Sequence, residues 1–215
     1  MIFDCDGVLV DSEPISNAVL ARMLTEQGLP TTTAESRREY QGMLLGDIRA
    51  DASRRLGREL PQQWVELYER ERDREFAVGL RAIAGAQQLV ERCLAAGFAV
   101  CVASQGSLAK TSRSLSLTGL DSLFAAHARF SAYQVPRGKP HPDLFLHAAR
   151  TIGVPPRECT VIEDTPSGVS AGVRAGMRVL GYAGDADAAA LEAAGAEVTI
   201  DSLIQAWPLL APVEG

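Results

Sequence analysis

From Gly79 onward the chain alternates segments of helical period with short β-rich apolar runs, and this alternation limits the fold more than any other feature. Ala86, Leu89, Val90, Cys93 and Leu94 share one helix face, and the run from Phe98 to Ala103 then reads as a strand. Repeats of that unit argue for an α/β domain, a parallel sheet flanked by helices. The apolar start Met1-Ile2-Phe3 supplies a further strand, whose pattern stops at Val10. Between it and the alternating region, residues 14 to 78 are polar and helical in period. Ile15, Val19, Leu20 and Met23 form one apolar stripe, and Trp64, Leu67 and Tyr68 form another. These middle helices read as an insert. No internal repeat or low-complexity linker interrupts the chain.

The loops after the strands carry the chemistry. Asp4-Cys5-Asp6-Gly7-Val8 puts two carboxylates on alternate residues, so in a strand both leave the sheet edge on one side. Taken alone, this pentapeptide fits a turn, with Asp bending the chain and Gly taking an awkward backbone angle. It fits equally a metal and phosphate site. Ser104-Gln105-Gly106-Ser107 follows the strand from Phe98 and can open a helix with hydroxyls and free amides, Ser104 serving as its cap. Gly138-Lys139-Pro140-His141-Pro142-Asp143 precedes the helix pattern Leu144, Phe145, Ala148 and Ala149. Thr160-Val161-Ile162 ends in Glu163-Asp164-Thr165-Pro166-Ser167-Gly168, ahead of a small-residue helix. In a parallel sheet, such strand ends form one crevice.

Those loops resemble the four motifs of the haloacid dehalogenase-like superfamily, in the branch holding β-phosphoglucomutase and small sugar-phosphate phosphatases. DCDGVLVDSE from Asp4, VASQGS from Val102, GKPHPDLF from Gly138 and VIEDTPSGVSAGVRAGM from Val161 stand in the family's order and span nearly the whole chain. The resemblance implies a Rossmann-like core of residues 1–12 and 80–215 and an inserted helical cap of residues 13–79. Ser12-Glu13-Pro14 and Val78-Gly79-Leu80 would be the two hinges. It implies a Mg²⁺-dependent phosphatase acting on a small phosphorylated metabolite, a sugar phosphate or sugar-acid phosphate, through an aspartyl phosphate. Asp4 matches the nucleophile and Asp6 the general acid and base. Ser104 matches the hydroxyl that binds the phosphoryl group, and Lys139 the lysine that offsets charge on nucleophile and phosphate. Asp4, Asp164 and the Asp6 carbonyl match metal ligands, with Glu163 a supporting or occasional one. Gly7, Gln105 and, in the cap, Gly42 and Leu45 complete the expected substrate contacts.

Composition agrees. A chain of 215 residues, 47% hydrophobic, can bury a sizeable core. A formal net charge of -6 argues against nucleic acid and anionic membrane as general partners, so a bound phosphate must be drawn by a local cation such as Lys139 or a metal. Cys5, Cys93, Cys101 and Cys159 show no metal spacing and read as small hydrophobes, and His127, His141 and His147 read as structural. The apolar stretch from Cys93 to Ala103 is shorter than the roughly 18 residues of a membrane span. With no basic-then-apolar leader, the expectation is a reduced, cytoplasmic protein and a monomer. The short strand before Asp4 leaves room for native residues ahead of Met1.

Two other readings fit the same motifs. A phosphomutase of the β-phosphoglucomutase type shares all four, but its cap loop carries an arginine where Leu45 falls in Gly42-Met43-Leu44-Leu45-Gly46-Asp47, and a cap histidine where Ser16 stands. A non-catalytic phosphometabolite-binding module would more often show a broken motif than the intact set of Asp4, Asp6, Ser104, Lys139 and Asp164.

Overall fold

A computed structural model describes residues 1–210. In chain order the elements are β1 (Ile2–Phe3), α1 (Glu13–Glu26), α2 (Thr33–Tyr40), α3 (Leu45–Leu56), α4 (Trp64–Gly79), α5 (Ala86–Ala95), β2 (Cys101–Ser104), α6 (Leu108–Leu117), β3 (Arg129–Ser131), α7 (Asp143–Ile152), β4 (Thr160–Glu163), α8 (Pro166–Arg174), β5 (Arg178–Tyr182), α9 (Ala188–Ala193), β6 (Val198–Ile200) and α10 (Ala206–Leu210). The chain's own contacts divide it into two compact units, Met1–Val10 with the chain from Ala82 onward, and Asp11–Arg81.

The first unit is a six-stranded parallel sheet in the order β3-β2-β1-β4-β5-β6, flanked by helices as the alternation predicts. Ile2 pairs with Cys101 on one side and Val161 on the other, and Phe3 with Val102 and Ile162. Ile2, Phe3, Val102, Val161 and Ile162 are fully buried, because helices cover both faces and a parallel strand has no wet side. α7 buries the expected Leu144, Phe145, Ala148 and Ala149. α8 can lie close to the sheet because Gly172 has no side chain. A β-carbon there would stand 2.6 Å from Val179 Cγ2.

In α5 and β2 two sequence expectations shift. β2 begins at Cys101 rather than Phe98, because Gly97 turns at φ 80° and the Phe98 amide still closes onto the Cys93 carbonyl at 3.0 Å. Leu94 lies off the buried face of α5, 41% exposed.

The second unit has its own core. Val19, Leu20, Met23 and Leu24 of α1 meet Tyr40, Ile48, Ala52, Leu60, Trp64 and Tyr68. Burial of a large apolar side chain contributes about 1.5–3 kcal/mol, so this cluster helps to hold the helices of the unit together. On α4 the buried stripe is Trp64, Tyr68, Arg72 and Phe76, spaced by four residues, and Leu67 falls off it at 40% exposure. Arg72 belongs to the stripe because its guanidinium lies 5.6 Å from the ring centroids of both Tyr68 and Phe76 and donates to Asp73 Oδ1 at 2.8 Å. A capping box of Thr32 and Glu35 starts α2.

Candidate active site

The sheet order changes direction at β1: β2 and β3 lie on one side of it, β4, β5 and β6 on the other. In open α/β sheets the crevice beyond such a switch point is where ligands bind. Both acids of the Asp4-Cys5-Asp6 segment lie just past the end of β1. The Asp4 amide continues the sheet pattern by donating to the Ile162 carbonyl at 3.0 Å. Cys5 points into the core and is fully buried. Burial, then the neighbouring Asp6 charge, holds its thiol well above the ordinary range. Cys93, Cys101 and Cys159 are likewise buried and unbridged.

β4 delivers Glu163 and Asp164 beside Asp4, and ligand atoms of all three carboxylates lie within 4.8 Å of one another. Two glycines make this crowding possible. Gly7 takes φ 80°, and a β-carbon on it would collide with the Asp164 carboxylate. A β-carbon on Gly168, in the first turn of α8, would collide with Glu163. Glu163, fully buried, is held by Thr165, whose amide and Oγ1 donate to Oε2 at 3.0 and 2.9 Å. Thr165 also caps α8 by accepting from the Gly168 amide.

Lys139 is buried between the acids, donating from Nζ to Asp4 Oδ1 and to Glu163 Oε1, with Nζ 5.1 Å from the Phe145 ring centroid. Gln105 sets its loop, accepting from the Lys139 amide at 3.1 Å over Gly138, where a β-carbon would come within 2.8 Å of the Gln105 amide group. Gln105 therefore positions Lys139, a role its expectation as a substrate contact did not include. Burial would favour neutral Lys139, but Asp4 and Glu163 outweigh it and hold the ammonium form above its usual range. Burial is also the main force on Asp4. Despite Lys139, it and the charges of Glu163 and Asp6 push Asp4 up to about 7.

Three buried carboxylates thus face one buried ammonium at this point. A divalent cation fits the remaining negative charge, and hard carboxylate oxygens suit Mg²⁺. Among the described residues no histidine joins the cluster.

The second acid is held differently. Asp6 Oδ2 accepts from Ser104 Oγ at 3.3 Å, and Asp6 Oδ1 accepts from Lys110 Nζ. Ser104 is the last residue of β2 and does not cap the next helix as expected. Ser107 does, accepting from the Lys110 amide at 3.3 Å, while Ser104 Oγ accepts from the Gly106 amide at 3.0 Å. Lys110 escaped the sequence reading because its helix buries polar residues along with an apolar one. α6 buries Lys110, Thr111, Ser114 and Leu115 and exposes Leu108 and Leu117. The one signal for it was a lysine three residues after a capping serine in a loop already marked as anion-binding.

Of the remaining expected residues, Gly42 and Leu45 belong to the helical unit. Gly42 turns at φ 78°, and Leu45 opens α3 and packs partly buried on the helical core, whereas Met43 beside it is exposed. His147 packs edge-on against Phe130, and His127 and His141 are exposed. No helix among the described residues is long and apolar enough to cross a membrane.

Comparison with known proteins agrees with the fold. The chain is 33% identical over 186 residues to the 6-phosphogluconate phosphatase of Escherichia coli (strain K12), covering 86% of this chain and 82% of that protein. It superposes with a TM-score of 0.81 on a haloacid dehalogenase-like protein of Agrobacterium tumefaciens str. C58, 33% identical, with 97% and 96% of the two chains covered. A HAD family hydrolase from Deinococcus radiodurans R1, solved with bound phosphate and sodium, matches with a TM-score of 0.78 and 31% identity over 98% and 93% of the chains. Residues 1–176, which include every acid of the cluster, match the family model of haloacid dehalogenase-like hydrolases, and the chain belongs to that family.

Proposed function

We propose that this hydrolase is a Mg²⁺-dependent phosphatase that cleaves a small phosphorylated sugar or sugar acid through an aspartyl phosphate on Asp4. The observation that carries the reading is the division of labour between the two acids. Asp4 stands with Glu163, Asp164 and Lys139, while the Asp6 carboxylate is held separately by Ser104 and Lys110. A nucleophile needs cations around it, and a proton carrier needs a fixed position beside the leaving oxygen.

Asp4 and Asp164, with the main-chain carbonyl of Asp6, would hold the metal, and Glu163 would anchor Lys139 against it. Bound Mg²⁺ supplies positive charge to the phosphoryl oxygens and to the attacking carboxylate. In the first half-reaction an Asp4 oxygen forms a bond to phosphorus, the ester P–O bond breaks, and the departing alkoxide takes the proton of the Asp6 carboxyl. In the second, water gives a proton to the Asp6 carboxylate and attacks phosphorus. The acyl-phosphate P–O bond breaks, releasing orthophosphate and restoring Asp4. Ser104 and the amides beyond β2 would steady the phosphoryl oxygens, and the Lys139 ammonium keeps the Asp4 carboxylate available. The family's mutase branch places a cation in the cap loop, and Gly42-Met43-Leu44-Leu45-Gly46-Asp47 has none, which favours water over a second substrate hydroxyl as acceptor.

Orthophosphate release from p-nitrophenyl phosphate with Mg²⁺ and with chelator tests the activity, and a panel of phosphorylated sugars and sugar acids tests the substrate class. Acid quench and peptide mapping should place the phosphoryl group on Asp4. A phosphoenzyme on any other residue would falsify the reading.

A further inference from the structure

Lys110 is a buried cation outside the four motifs, and neither half-reaction above gives its contact with Asp6 a task. It lies in the first turn of α6, 8% exposed, and its ammonium donates to Asp6 Oδ1. The other oxygen of the same carboxylate accepts from Ser104 Oγ at 3.3 Å. The carboxylate is therefore gripped at both oxygens from two elements, the end of β2 and the start of α6. Gly106 lets this happen. A β-carbon on it would stand 3.0 Å from Lys110 Cδ and 3.3 Å from Ser104 Oγ, so the lysine stem passes over a residue with no side chain. The Gly106 backbone is itself pinned. Its amide donates to Ser104 Oγ, and its carbonyl accepts from Ser131 Oγ at 2.7 Å.

Burying a lysine is costly unless it is paired, and a purely structural lysine of α6 could have turned outward to water. Instead the helix exposes Leu108 and Leu117 and turns Lys110 in. Asp6 follows a two-residue strand and lies one residue before a glycine at positive φ, so its backbone alone does not fix its side chain. A proton carrier displaced by about 1 Å can lose on the order of 10²-fold in rate.

We propose that Lys110 is the positioning residue for Asp6, holding its carboxyl group in the rotamer that reaches the leaving oxygen and the attacking water. This inference rests on Asp6 being the acid and base. It adds a residue from α6 to the machinery and assigns Gly106 the task of clearing the lysine's path.

The test uses phenyl phosphate and p-nitrophenyl phosphate, whose leaving groups need strong and weak protonation respectively. Lys110→Met should lower single-turnover phosphorylation of the enzyme by phenyl phosphate about 10²-fold, and by p-nitrophenyl phosphate much less, with KM and Mg²⁺ affinity little changed. Lys110→Arg should recover much of the loss. Gly106→Ala should show the same leaving-group pattern more weakly, and it carries the test should Lys110→Met fail to fold. In an Asp6→Asn background, Lys110→Met should cost almost nothing further. Equal loss on both esters, a change confined to KM, or full additivity with Asp6→Asn would overturn the assignment. Full turnover by Asp6→Asn alone would instead overturn the role of Asp6, so the two failures are distinguishable.

Discussion

Gly7 stands at φ 80° against Asp164, and the space a β-carbon would fill there is taken by the Asp164 carboxylate. Two constraints meet at this residue, a backbone angle that costs an L side chain energy and a collision with a proposed metal ligand. Gly7→Ala should therefore lose most Mg²⁺-dependent turnover while keeping its far-ultraviolet circular dichroism. Calorimetric titration should show weakened Mg²⁺ binding, and wild-type affinity in the variant would separate the glycine from the metal site.

Asp4→Asn should abolish turnover, since an amide neither attacks phosphorus nor binds Mg²⁺ well. The variant should still fold, because Lys139 keeps its ion pair with Glu163. Orthophosphate release checks the first half of this expectation and far-ultraviolet circular dichroism the second, each compared with wild type.

Asp4 also makes stability depend on pH. Burial first, then Glu163 and Asp6, raise its carboxyl from an ordinary 3.8 to about 7 in the folded protein. Between those values the folded chain holds a proton that the unfolded chain has released. The stabilisation from Asp4 is thus complete below the ordinary carboxyl range and is lost as pH rises through about 7. In chelator, melting temperature should fall between pH 5 and pH 7.5, a window drawn from that shift. The fall should be smaller for Asp4→Asn, and Mg²⁺ should reverse it in the wild type. An identical pH slope in the two proteins would assign the dependence to other groups.

Removing Mg²⁺ should stop catalysis, and excess Ca²⁺ should inhibit, because Ca²⁺ takes more ligands at looser geometry. Asp164→Ala should raise the Mg²⁺ concentration needed for activity. Lys139→Ala should chiefly weaken phosphate binding and transfer, and titrating both variants against metal and against substrate distinguishes the two effects.

On the proposed mechanism the sheet-edge motifs address only the phosphoryl group, so substrate choice should respond to the segment from Gly42 to Asp47. Leu45→Arg should cost stability as well, because Leu45 packs on the helical core, whereas Met43→Arg changes an exposed position. Both should alter the ranking of kcat/KM among sugar phosphates more than the activity on p-nitrophenyl phosphate. An unchanged ranking across the series would move the search to α1, around Glu13, Ser16 and Asn17.

Much of the cluster was legible in the sequence because the loops that carry it resemble the four family motifs, which named Asp4, Ser104, Lys139, Glu163 and Asp164 together. The structure brings Asp4, Lys139, Glu163 and Asp164 to one point, and Ser104 to Asp6. The parallel sheet and the helical insert followed from apolar period. Tertiary structure decided what period cannot express. Leu67 and Leu94 are apolar yet exposed, since each helix buries a stripe narrower than its apolar set. Lys110 is charged yet buried, because its partner Asp6 comes from a segment 104 residues away in the chain. No local pattern records an ion pair made across that distance, nor that Gly106 leaves room for it. The same holds for Gly7 and Gly168, which sequence marks as turn and helix residues. Only the packed site shows that their missing side chains make way for carboxylates.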